Sequence, residues 1–280
     1  MKFERFLSIP VSAVFLLTGF VYYITVFVFV EDWIGLRSSA GSLNAMMFTL
    51  LCFLCLFSFF ACVLIDPGQI PASYVPDVEE SRRSDEESQK NGAQLRQCDR
   101  CSTYKPPRAH HCRVCRRCVL RMDHHCLWIN NCVGYWNYKP FFILVLYATI
   151  GSIYSTFTVI ISSFQKDFGG RAPLKVFYVI CGAVMIGLSA TLGTLLVWHI
   201  YLIIHNMTTI EYYEGIRASW LARKSGQSYQ HPFNLSVYRN ITSVSLSLSP
   251  LFCALGAGST FHFSRLIFPH FNYICNLSIW

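Results

Sequence analysis

Seven cysteines and four histidines fall between Cys98 and Cys132. Cys98 and Cys101 form one C-x-x-C pair. Cys112, Cys115 and Cys118 form two more that overlap. Such a pair can present two thiolates to one tetrahedral zinc, at about 2.3 Å per bond. Two closed structural sites of the Cys3His type need eight ligands, six cysteines and two histidines. His110, His111, His124 and His125 are on offer, so one cysteine and two histidines are left over, with Asp123 beside them. Cys126 is the best choice for the spare thiol, because it follows Asp123-His124-His125 directly. A carboxylate can orient an imidazole, the imidazole can take a thiol proton, and the thiolate can attack. Arg113, Arg116, Arg117 and Arg121 are close in sequence, and cations lower a thiol pKa. The competing reading is that His124, His125 and Cys126 are all metal ligands and nothing is catalytic.

The elements that must carry this cluster are apolar. Of 280 residues, 53% are hydrophobic and 14% are charged, against about 25% charged in an ordinary soluble domain. So few charges cannot coat two globular surfaces, and the hydrophobicity excludes a disordered chain. A bilayer core needs about 20 apolar residues per helix. Four stretches qualify, at residues 9–30, 43–65, 141–161 and 176–204. The first is too long for a signal-peptide core and is followed by Glu31-Asp32-Trp33 rather than a small-residue cleavage site, so it reads as a retained span. The first three spans hold no Asp, Glu, Lys, Arg or His, and His199 and His205 sit near the end of the fourth. That argues against a metal transporter, whose path needs such groups.

Orientation follows from lysine and arginine. Residues 66–140 hold twelve of the 23 basic residues, while the short connections 31–42 and 162–175 are nearly bare. The positive-inside rule puts that segment and both termini (residues 1–8 and 205–280) in the cytosol. The cytosol keeps thiols reduced, which favours metal ligands or a nucleophile over disulfides. Within the segment, residues 77–97 are polar and mixed in charge, a disordered linker by composition. The character changes to Cys, His, Arg and aromatics over 98–139. The fold expected is an all-α polytopic membrane protein, four transmembrane helices with a cytosolic two-zinc cysteine-rich domain between helices two and three.

The run Cys98-x-x-Cys101, His110-His111-Cys112-x-x-Cys115-x-x-Cys118, Asp123-His124-His125-Cys126 and Asn130-Asn131-Cys132 resembles the cysteine-rich domain of the DHHC protein S-acyltransferases, the palmitoyltransferases. Asp66-Pro67-Gly68 looks like that family's DPG motif within the 66–97 segment. Thr208-Thr209-Ile210-Glu211 looks like its TTxE motif, and 231–240 resembles its PaCCT region, with Asn240 as the key residue. The resemblance implies Cys126 as nucleophile, His124 as base and Asp123 as its orienting partner. It implies one structural zinc on Cys98, Cys101, His111 and Cys118, and a second on Cys112, Cys115, His125 and Cys132. It further implies palmitoyl-CoA or another fatty acyl-CoA as co-substrate, protein cysteines at the cytosolic face as acceptors, membrane lipid as surroundings, and the Golgi as the membrane, with ER and plasma membrane as alternatives. No nucleic-acid partner is expected. Leu127 departs from the proline that usually follows the catalytic cysteine, and the chain after Val244 matches no family tail. Both fit the runner-up, a catalytically inactive membrane-anchored zinc module that binds partners.

The layout suits acyl transfer. Each buried CH2 of an acyl tail gains about 0.8 kcal/mol in hydrocarbon, which would leave the thioester at the cytosolic interface. Arg113, Arg116, Arg117 and Arg121, with Lys105 and Arg108, are the candidates for the polyanionic CoA head, since guanidinium binds phosphate bidentately.

Overall fold

The computed structural model describes residues 8–70, 74 and 97–246. The expected linker up to residue 96, the basic residues Lys2, Arg5, Arg82, Arg83, Lys90 and Arg96, and the tail beyond Leu246 lie outside the described residues. Four helices are long and apolar enough to cross a membrane: α1 (Ile9–Trp33), α2 (Ser39–Leu64), α3 (Tyr138–Gln165) and α4 (Ala172–Ile204). This is a multi-pass membrane protein. Leu16, Phe53, Phe157, Val179 and Val197 are each more than half exposed, an arrangement that suits hydrocarbon rather than water.

The helices run past the hydrophobic stretches for local reasons. α1 opens on Ile9-Pro10, and proline is tolerated in a first turn, where its missing N–H would have no partner anyway. α2 starts at Ser39 because Ser38 caps it, its Oγ accepting from the Gly41 N–H at 2.9 Å. α4 has 33 residues, about 50 Å at 1.5 Å per residue, which exceeds a hydrocarbon core of about 30 Å.

The spans are joined by polar pairs, which matter where apolar attraction between helices is absent. Thr25 donates to Ser155 Oγ at 2.9 Å, linking α1 to α3. Tyr154 donates to Asn44 Oδ1 at 2.9 Å, linking α3 to α2. Residues Ile24–Val30 of α1 wind as a π-helix, and Thr25 lies within it. At the same end of the spans, Asp32 accepts from both Lys166 and Tyr178.

Between α2 and α3 the chain forms six short strands, the departure from an all-helical expectation: β1 (Gln97–Cys98), β2 (Thr103–Tyr104), β3 (His110–Cys112), β4 (Arg117–Val119), β5 (His124–Cys126) and β6 (Asn131–Val133). They pair as three antiparallel hairpins, β1–β2, β3–β4 and β5–β6. Tight turns need left-handed backbone, supplied here by Ser102, Arg116 and Asn130 at φ 52°, 53° and 46°. Hairpins this small do not stand alone in water.

The chain divides into two compact units between His199 and Ile200. The second contains α5 (Thr209–Lys224) and α6 (Val237–Leu246). Thr208 and Glu211 form a reciprocal capping box on α5. Asn240 donates to Ile204 O at 2.7 Å and accepts from the Leu235 N–H at 3.0 Å. In this unit, Thr208 and Glu211 therefore satisfy the backbone where α5 starts, and Asn240 a carbonyl where the fourth span ends.

Candidate functional site

Strand alternation explains why adjacent residues here do different things. Successive side chains on a strand point to opposite faces. On β3, His111 and Cys112 therefore face different ways, and on β5 His125 is separated from both His124 and Cys126. The register sets His111 opposite Cys118 and His125 opposite Cys132. Two groups of four result: Cys98, Cys101, His111 and Cys118, then Cys112, Cys115, His125 and Cys132, with ligand atoms within 4.8 Å of one another in each.

The separations within each group fit a tetrahedral zinc. Bonds of about 2.3 Å to sulfur and 2.0–2.1 Å to nitrogen give S···N edges of about 3.6 Å and S···S edges of about 3.8 Å. In the first group, His111 Nδ1 lies 3.6, 3.3 and 3.8 Å from the sulfurs of Cys98, Cys101 and Cys118. In the second, His125 Nδ1 lies 3.7, 3.5 and 3.6 Å from those of Cys112, Cys115 and Cys132. Cys101 and Cys118 sulfurs are 3.8 Å apart, and Cys115 and Cys132 sulfurs 3.5 Å. Cys126 belongs to neither group.

Cys126 instead shares its strand face with His124 and is hydrogen-bonded to it. His124 donates from Nδ1 to Asp123 Oδ2 at 2.7 Å, and Asp123 is fully buried. Burial alone would lower the imidazole pKa, but the Asp123 hydrogen bond and the Cys126 sulfur outweigh it and push His124 up to about 9. Burial likewise opposes ionisation of Cys126, yet the His124 hydrogen bond and charge, helped by the N–H groups of Ile129 and Trp128, bring the thiol below its usual value. Each shift favours a thiolate–imidazolium pair, an arrangement able to serve nucleophilic chemistry.

The hairpins are fixed to the spans by backbone-directed hydrogen bonds. Asn131, cross-strand partner of Cys126, is buried and donates to the carbonyls of Cys62 and Ile65 at the end of α2, each at 3.0 Å. Those carbonyls belong to the last turn of a helix, where intrahelical donors run out. Asn137 donates to Cys132 O at 2.7 Å and accepts from the Gly134 N–H at 2.9 Å. The chain after α2 closes the other side: Gly68 O accepts from Leu120 N–H at 2.9 Å, and Pro67 O from Trp136 N–H at 3.2 Å. Asp66 accepts from the Gly68 N–H at 2.9 Å and from Arg117 Nη1 at 2.7 Å. Gly68 has φ +109°, a conformation glycine adopts without strain.

The four arginines expected at an anionic head group have separate fates. Arg113 and Arg116 are exposed and Arg121 is partly exposed. Arg117 is engaged by Asp66 and Gln69 and belongs to the contact that holds the segment after α2. Sequence reasoning gave His199 no role at the site. It is 1% exposed, 3.1 Å from Tyr138 Oη through Nδ1, with its ring centroid 6.2 Å from that of His124. An isolated histidine in an apolar span was the signal available. Deeper among the helices, an apolar cleft is lined by Val21, Cys52, Cys55, Tyr147, Ser152 and Leu188, among others.

Residues 91–216 match the model of the DHHC palmitoyltransferase family. Similar proteins from Arabidopsis thaliana include "Probable protein S-acyltransferase 15", 65% identical over 228 residues, 81% of this chain and 88% of that protein. The chain belongs to the DHHC palmitoyltransferase family. It is also 49% identical to "Probable protein S-acyltransferase 16" of the same plant over 243 residues, covering 85% of this chain and 84% of that protein. "Palmitoyltransferase ZDHHC15" of Xenopus laevis is 38% identical over 173 residues, 59% of this chain and 49% of that protein. The protein is thus an enzyme of the S-acyltransferase class, and the inactive-module alternative is set aside. The two four-ligand groups of this acyltransferase lie within the matched residues.

Proposed function

We propose that this acyltransferase moves a long-chain acyl group, palmitoyl above all, from acyl-CoA to cysteine thiols of proteins at the cytosolic membrane face, in two steps through an acyl-Cys126 intermediate. The observation that carries the reading is the hydrogen-bonded Asp123–His124 pair beside a thiol outside both ligand groups. In the first step the Cys126 thiolate attacks the thioester carbonyl. A new C–S bond forms, the bond to CoA breaks, and His124 gives its proton to the departing CoA thiolate. In the second step His124 takes the proton of an acceptor thiol, whose thiolate attacks the acyl carbon and releases Cys126. Asp123 holds the His124 tautomer throughout.

Zinc on Cys98, Cys101, His111 and Cys118, and on Cys112, Cys115, His125 and Cys132, supplies rigidity, since a short segment with so little core folds on metal. Exposed Arg113 and Arg116, with Arg121, meet the CoA phosphates. The cleft among the four spans takes part of the acyl tail. Lys and Arg distribution favours cytosolic termini, and the family resemblance favours the Golgi, which imaging of the tagged full chain tests. The function is tested with purified enzyme, labelled palmitoyl-CoA and a cysteine-containing acceptor peptide on membranes. The expected result is transfer to the peptide thiol that disappears in Cys126→Ser; transfer by Cys126→Ser at the wild-type rate rejects the mechanism.

A further inference from the structure

The imidazole of His124 is hydrogen-bonded through Nδ1 to Asp123 at 2.7 Å and is also hydrogen-bonded to the Cys126 thiol. Hydrogen bonds to Asp123 and Cys126 alone leave the ring free to roll about the line joining them, and attack geometry is unforgiving of such a displacement. Two rings border it. Phe141 stands edge-on at 5.3 Å between centroids and 72° between planes. His199 lies 6.2 Å from His124 and 5.0 Å from Phe141. If packing alone were wanted from α4 at this point, an apolar side chain would serve at lower cost, because a buried polar group is unfavourable unless hydrogen-bonded. His199 is 1% exposed and its Nδ1 is 3.1 Å from Tyr138 Oη. Tyr138 is itself tied to the hairpins, its N–H donating to Gly134 O at 3.0 Å. The contacts run from the β5–β6 hairpin through Tyr138 to His199, and back to the ring of His124.

We propose that His199 is a positioning residue: the Tyr138–His199 hydrogen bond fixes the orientation of one ring of the wall that keeps His124 aimed at Cys126. The proposal rests on His124 being the base. It assigns to the fourth span a direct part in the acyl-enzyme step, carried by hydrogen-bond geometry rather than by bulk.

The test is single-turnover acyl-enzyme formation by the full chain in detergent with labelled palmitoyl-CoA. His199→Leu is expected to slow formation by about tenfold or more, since misplacement of about 1 Å can cost about a hundredfold. Zinc content and the concentration dependence on palmitoyl-CoA are expected to stay at wild-type values. His199→Asn, which keeps a polar atom near the Nδ1 position, should stay within about threefold of wild type, and adding Tyr138→Phe to His199→Leu should cause no further loss because the two act as a unit. A wild-type rate in His199→Leu, an asparagine variant as slow as the leucine variant, or losses that multiply in the double variant each overturn the proposal. If His199→Leu fails to purify with zinc, Tyr138→Phe carries the test, with slowed formation expected and a wild-type rate overturning it. Acyl-enzyme formed by Cys126→Ser in the same assay would instead reject the underlying reading.

Discussion

Replacing Asn131 by leucine should uncouple the candidate nucleophile from the membrane spans without removing a metal ligand. Asn131 is fully buried, and its amide donates to Cys62 O and Ile65 O at 3.0 Å each while its Oδ1 accepts from the Cys132 N–H at 3.0 Å. Leucine has similar bulk and none of these partners. Each lost hydrogen bond is worth about 1 kcal/mol, and a buried group left unsatisfied costs about 1–3 kcal/mol. Three such bonds give at least about 3 kcal/mol, or roughly a hundredfold in the equilibrium that keeps the hairpin docked, at 1.4 kcal/mol per decade. Because Asn131 is opposite Cys126 and shares its face, the loss reaches Cys126 first. His125 and Cys132 face the other way and should keep their metal. The assay pairs acyl-enzyme formation with zinc content per chain. Formation slowed about a hundredfold with zinc retained is expected; an undiminished rate in Asn131→Leu would refute the claim that this contact positions the nucleophile.

Further outcomes follow from the same contacts. Gly134→Ala would put a Cβ 2.7 Å from Val119 Cγ1 and 2.8 Å from Pro67 O, so a destabilisation of about 1–3 kcal/mol is expected, read as a lowered melting temperature. Cys115→Ser and His111→Ala should each lose one zinc and, with it, acyl-enzyme formation; either variant with full metal content and full activity would contradict the ligand partition. Asn240→Ala leaves Ile204 O and the Leu235 N–H without their partner and should lower stability by about 1–3 kcal/mol, measured by protease resistance of residues after the fourth span.

The four spans were legible because continuous apolar length is a one-dimensional signal, and none of 9–30, 43–65 and 141–161 contains Asp, Glu, Lys, Arg or His. Their ends were less so: the capping by Ser38 and the first turn at Pro10 lie outside the hydropathy peak. The π-helical stretch of α1 leaves no mark in a segment that is apolar all round, since no face is distinguished. Counting ligands in the cysteine-rich segment separated Cys126 from the rest, and strand alternation with the His125↔Cys132 register supplies the physical reason. Pairs far apart in the chain were not readable. Arg117 looked like a phosphate ligand because its partner Asp66 is 51 residues away, and Tyr138 and His199 are 61 residues apart. Leu127, which stands where the proline is expected, is 62% exposed, and His124 and Cys126 are hydrogen-bonded to each other in its presence.

The central claim is that one thiol outside two metal sites carries the acyl group. It is tested most directly by single turnover with palmitoyl-CoA, followed by peptide mapping of the intact enzyme before and after hydroxylamine. The account predicts a hydroxylamine-labile acyl group on the peptide containing Cys126, absent from Cys126→Ser although that variant keeps both zinc ions. An acyl thioester that forms at the wild-type rate in Cys126→Ser, or that maps to one of the eight ligand residues, would contradict it.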